Sequence, residues 1–154
     1  MPNYYHQFSE LFFAGLTETE QQWTREILAM DPDADLDRRQ LARHVPGADL
    51  EYGWPGFECS VHRDKPDGEP YLWIRSEESF CPENVAAFLR GFLRKFRPRG
   101  IVKFTWAGVC GRPVAGEFGG GWAVVSSRRI VFGNTWDAAA DAVKRMKKRR
   151  KVQR

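Results

Sequence analysis

The segment from Pro82 to Phe96 constrains the fold most. Val85, Phe88, Leu89, Phe92, Leu93 and Phe96 fall at i, i+3, i+4, i+7, i+8 and i+11, a single apolar stripe at helical spacing. Pro82 suits the first helical position, Cys81 or Ser79 sits near the cap, and Pro98-Arg99-Gly100 stops the helix. Burying six such side chains at ~1.5–3 kcal/mol each contributes on the order of 10 kcal/mol before entropy is counted. A stripe this wide needs a sheet to lie on.

The rest of the chain supplies one. Phe57, Cys59 and Val61 alternate with Glu58, Ser60 and His62, the pattern of a half-buried strand. The cluster Asp64-Lys65-Pro66-Asp67-Gly68 turns the chain, and Tyr71-Leu72-Trp73-Ile74-Arg75 returns it, so 57–75 reads as a hairpin. Ile101 to Ala107, Gly121 to Val125 and Arg129 to Phe132 read as three further strands. Thr17-Glu18-Thr19-Glu20 is a capping-box pattern that opens a helix over about 18–30, and Asp31-Pro32 ends it. A short helix fits Asp37 to Arg43. A final helix, capped by Asn134 or Thr135, runs from Trp136 into a basic tail. Phe8 to Leu16 is apolar and short, and is either a strand or a buried turn of helix. The expected fold is α+β: a mostly antiparallel sheet of about five strands packed on the 82–96 helix, with N-terminal and C-terminal helices. Residues 1–143 are expected to form one domain, and 144–154 a basic C-terminal tail.

Composition narrows the classes. Hydrophobic residues make up 42% of the 154, enough for a core, so wholesale disorder is excluded. No apolar run approaches ~20 residues, and no basic stretch leads into an apolar one near Met1. No membrane span or signal peptide is therefore expected. Cys59, Cys81 and Cys110 are an odd, widely spaced set with no CxxC, which fits a reducing cytoplasm and points away from disulfides or a structural zinc site. No metal and no cofactor are expected, and the oligomeric state is left open.

The net charge of +4 conceals a division. Residues 1–87 hold 7 basic and 17 acidic groups, a balance of −10; residues 88–154 hold 17 basic and 3 acidic groups, a balance of +14. The densest part is Lys144, Arg145, Lys147, Lys148, Arg149, Arg150 and Lys151, followed by Arg154. Such a run can engage a phosphate backbone without reading sequence. It also superficially matches a nuclear-import cluster, and it equally suits a solvated helix end. Arg90, Arg94 and Arg97 recur on the polar face of the 82–96 helix and could line a phosphate groove.

Asp31, Asp33, Asp35 and Asp37 resemble a calcium loop only superficially, because Leu36 stands where the glycine belongs and Ala42 where the bidentate Glu belongs. They form a loop with a helix cap at Asp35 or Asp37 or, with Asp49 and Glu51, an anionic track presented to a partner's cationic groove. The stretch Gly108 to Gly121 matches no phosphate-loop pattern and reads as a long hairpin loop, with Glu117, Phe118, Gly119, Gly120 and Gly121 as its candidate functional part. Catalytic candidates are thin. His6, His44 and His62 occur in no ligand or dyad spacing, and His62 lies roughly 13 Å along its strand from Glu58. Cys110, beside Gly111-Arg112, could be an activated thiol or a buried one.

Leu72 to Ser79, the helix to Pro98, Phe104-Thr105-Trp106-Ala107 and above all Glu117-Phe118-Gly119-Gly120-Gly121 resemble a family of small uncharacterised bacterial proteins, some carried on phages, plasmids and other mobile elements. The resemblance covers roughly residues 57–135, and the basic tail departs from it. It transfers no catalytic residue. It implies a stoichiometric role, such as inhibition of host-defence nucleases or CRISPR complexes. The leading expectation is a non-enzymatic binding protein that docks on a larger protein or nucleoprotein complex. The alternatives are an accessory nucleic-acid-binding domain using the basic helix face and tail, and a small hydrolase or nuclease using Glu117 with His62 or His44.

Overall fold

The computed structural model describes residues 4–78, 80–110 and 119–152, with the backbone alone described for 4, 5 and 149–152. Its elements in chain order are β1 (Tyr4–Phe12), α1 (Glu18–Leu28), α2 (Asp35–His44), β2 (Glu58–His62), β3 (Tyr71–Ser76), α3 (Pro82–Phe96), β4 (Ile101–Cys110), β5 (Gly119–Ser126), β6 (Ile130–Asn134) and α4 (Thr135–Val152). The helix expected over 82–96 is α3. Val85, Phe88, Leu89, Phe92 and Leu93 on its stripe are fully buried, and Phe96 is half-buried at the rim.

The surface beneath α3 is one antiparallel sheet of six strands, ordered β2-β3-β1-β4-β5-β6. The strand beyond the expected five is β1, and it is central. It pairs with β3 from Phe8↔Ser76 to Phe12↔Leu72, and with β4 from Tyr4↔Cys110 to Gln7↔Ala107. Strand alternation sends Phe8 and Phe12 to the inner face with Leu72, Ile74, Phe104, Ala123 and Val125, all buried. Aromatic packing ties the layers together. Phe8 stacks on Phe80 at 5.3 Å and meets Phe104 edge-on at 5.4 Å.

Two more helices complete the inner layer. The capping box of α1 forms as expected: Glu20 N–H donates to the Thr17 hydroxyl at 3.2 Å, and Thr17 N–H to the Glu20 carboxylate at 2.8 Å. Trp23 of α1 packs on Phe88, Phe92 and Phe96. In α2, Leu41 is fully buried. The end of α2 lies directly on α3 at Gly91, where a Cβ would collide with the His44 carbonyl. The expected 57–75 hairpin is β2–β3, and its outward side chains face solvent.

The final helix differs from the rest. Asp137 N–H donates to the Asn134 side chain and the Asn134 amide to the Asp137 carboxylate, both at 2.8 Å, so the cap expected at Asn134 is present. Beyond it α4 touches mainly β5 and β6, and every residue from Thr135 to Lys148 is exposed. Among the described residues no helix is long and apolar enough to cross a membrane.

Candidate functional site

Three surfaces carry the residues that the sequence singled out, and a fourth emerges only from the fold. The first is α4, which at 18 residues reaches ~27 Å. At 100° per residue, Lys144 and Lys148 share a face, with Arg145 and Lys147 on its flanks. All four side chains are exposed. The acid partner among them is Asp141, 3.5 Å from Lys144 at high exposure, a contact of little energetic weight. Arg145 donates through Nε to the Asp141 carbonyl at 3.3 Å. Arg149, Arg150 and Lys151 continue the same helix backbone. A thin apolar row, Trp136, Val143 and Met146, also exposed, runs along the flank beyond Lys147.

The second is the polar face of α3, and here two of the three arginines are occupied. Arg97 donates through Nε to Glu20 at 3.0 Å and through Nη2 to the Ala14 carbonyl at 3.1 Å. Burial pushes the Glu20 carboxyl upward in pKa, but the Arg97 guanidinium and the Thr17 cap outweigh it and hold it below the ordinary value. Arg90 donates to the Pro46 carbonyl, fixing the loop after α2. Arg94 remains exposed. The face thus serves as the seam between α3 and the α1–α2 segment. It does not meet α4 in a shared groove, since the principal contacts of α4 are with β5 and β6.

The third is the acidic segment. Asp31 accepts from Asp33 N–H and Asp37 from Asp31 N–H, each at 2.9 Å; Asp35 is already the first residue of α2, so the cap expected at Asp35 or Asp37 falls instead on Ala34, whose methyl has no acceptor to offer. Asp49 accepts from Tyr52 N–H at 3.1 Å, and Glu51 pairs with Arg38, whose pKa it raises. Most of these carboxylates therefore organise the turns around α2, with a guanidinium among them. The buried amide of Asn84 fastens the same loop. It accepts from Asp49 N–H at 2.6 Å and donates to the Gly53 carbonyl at 2.9 Å. Nothing in local sequence marks Asn84 as a hub, because its partners lie on a different segment.

Of the glycine-rich stretch, Glu117 and Phe118 lie outside the described residues. Gly119, Gly120 and Gly121 begin β5. Gly119 lies under Trp136, where a Cβ would stand 2.8 Å from the indole nitrogen, and Gly121 lies beneath the Trp106 ring. The glycines let two indoles lie flat on the strand. His6, His44 and His62 stand apart on β1, α2 and β2. His62 pairs with Asp64 at 3.1 Å, and burial together with Lys95 and Arg43 lowers the pKa of His44. Burial raises the thiols of Cys59 to about 12 and Cys81 to about 11. Cys110 is buried.

The fourth surface is one that the sequence did not disclose. The β1–β4 ladder stops at Gln7↔Ala107 although both strands continue. A cleft of about 740 Å³ opens there between the two strands, lined among others by Ser9, Glu10, Trp73, Arg75, Glu77 and Thr105. Arg75 lies 4.0 Å over the Trp73 ring and pairs with Glu58 at 2.8 Å, while Trp73 Nε1 donates to the Ser9 hydroxyl at 2.9 Å. Glu10 accepts the Thr105 N–H at 3.0 Å, where a strand carbonyl would otherwise stand.

No protein-family model matches the chain, and neither the curated proteins nor the solved structures show a protein similar to it.

Proposed function

We propose that the protein acts by binding, docking through α4 on nucleic acid or on a nucleoprotein complex. The observation that carries this is the helix itself. It is capped, it leaves the body, and its cations at 144, 145, 147 and 148 stand in solvent, whereas the arginines at 90 and 97 are spent on internal contacts. A preformed row of cations at helical spacing can neutralise successive phosphates and release their counterions. It positions the molecule without reading bases, because Lys and Arg side chains on phosphate carry no sequence information. The stoichiometric inhibition that the family resemblance implies would use the same surface, with one copy of this chain occupying a phosphate-binding or phosphate-bearing region of the target.

Fluorescence anisotropy with a labelled DNA duplex tests it. Affinity is expected to fall by about 10²–10³ between about 50 and about 200 mM salt if roughly five phosphates are engaged. Deleting residues 144–154 should abolish most of the binding and flatten the salt slope. Binding that survives the deletion, or that ignores salt, would remove α4 from the function.

A further inference from the structure

The cleft between β1 and β4 has the features of a site for an extended peptide. His6 N–H donates to the Glu78 carbonyl at 2.8 Å, and antiparallel alternation then directs the amides of Phe8, Glu10 and Phe12 to β3 and those of Ser9 and Leu11 toward β4. Tyr5 and Gln7 find β4 partners through the ladder that ends at Gln7↔Ala107, but Ser9 and Leu11 lie past its end. On the facing wall, Thr105 presents the matching backbone groups of β4. The Thr105 N–H is held by the Glu10 carboxylate rather than by a strand, and the Thr105 hydroxyl lies 3.5 Å from the same oxygen. Two strand edges therefore face each other across a cleft of about 740 Å³. Its lining takes in Gln7 to Glu10 of one edge and Thr105 to Ala107 of the other.

We propose that this cleft accepts a polypeptide segment in β conformation carrying a basic side chain. An incoming backbone would bond to the open edge at Ser9 and Leu11 and offer a carbonyl to Thr105 N–H, displacing Glu10 from it. The freed Glu10 carboxylate then receives the segment's cation. Charge sets the sign of the preference. Among the described lining residues, Glu10 and Glu77 in the cleft and Glu58 and Glu78 in the adjoining hollow face Arg75, which is itself paired with Glu58. The flat Trp73–Arg75 pair forms the outer wall, against which alternate side chains would lie. The inference is independent of α4, which lies on other strands.

Three capped nine-residue peptides of alternating Thr and Val, with Lys, Ala or Glu at the centre, make the test. They are titrated into the intact protein by calorimetry, with amide exchange followed at each residue. The Lys peptide is expected to bind about tenfold tighter than the Ala peptide, and the Glu peptide more weakly than either. Ser9 and Leu11 should become protected on binding. N-methylation of alternate peptide amides should abolish the effect, and Glu10→Gln, or Glu77→Gln should Glu10→Gln fail to fold, should narrow the Lys preference. Failure of the Lys peptide to bind, indifference to N-methylation, or protection confined to the outer edges at β2 or β6 would each overturn the assignment.

Discussion

Helices α3 and α4 are built from similar materials and meet opposite fates. Each carries an apolar row and a set of cations. On α3 the apolar row is broad, with three phenylalanines, and the sheet covers it; of its cations, Arg90 and Arg97 are taken up by Pro46, Glu20 and Ala14, and Arg94 and Lys95 stay exposed. On α4 Trp136 rests on Gly119 at the first turn, and beyond it the row is reduced to Val143 and Met146 among alanines, too little to draw the rest of the helix onto the body. Its cations therefore stay in water. Basic residues at helical spacing thus mean nothing until one knows whether a second layer of structure lies over them.

The comparison can be broken most forcefully at the apolar rows. Phe92→Ala should cost about 3–5 kcal/mol in urea unfolding, whereas Val143→Ala and Met146→Ala should stay within ~0.5 kcal/mol. Equal losses at the two rows would show that α4 is packed after all. The cations offer the next contrast. Arg97→Ala strips a buried carboxylate of its partner and, discounted for the partial exposure of Arg97, should cost about 2 kcal/mol, while Arg94→Ala should leave the unfolding midpoint in place. Gly91→Ala sharpens the picture from another side. An exposed helical glycine would gain up to ~1 kcal/mol on becoming alanine, but here the methyl meets the His44 carbonyl, and a net loss of about 1 kcal/mol is expected by thermal denaturation.

The smallest effect is in pH. Glu20 and His44 both titrate below their ordinary values of 4.5 and 6.5, so the folded state binds fewer protons than the unfolded one. Their contribution is complete at neutral pH and is lost as pH falls, first below about 6.5 through His44 and then below about 4.5 through Glu20. Unfolding midpoints measured from pH 7 to pH 3 should decline in those two steps, and the lower step should shrink in Arg97→Ala.

Elements defined by their own periodicity were legible in the sequence. The α3 stripe, the Thr17–Glu20 cap, the β2–β3 hairpin and the Asn134 cap all follow from residues within one turn or one strand of each other. What depended on distant partners was not. Phe8 to Phe12 becomes a central strand because β3 and β4 flank it, and no local feature distinguishes that from a buried turn. Arg97 looks solvated until Glu20 arrives from α1. The cleft is still less visible, since it arises where a ladder ends, and ladder ends leave no mark in composition.

The position of β1 also governs how the molecule can assemble. The hairpin β2–β3 and the meander β4–β5–β6 are each made by neighbours along the chain, so either can zip up on its own. Only β1 joins them, pairing Phe8 with Ser76 and Gln7 with Ala107, so both long loops must close before it is held on its two sides. It behaves like the keystone of an arch: if withdrawn, it would leave two half-sheets with no backbone ladder between them and only the α3 core to hold one against the other.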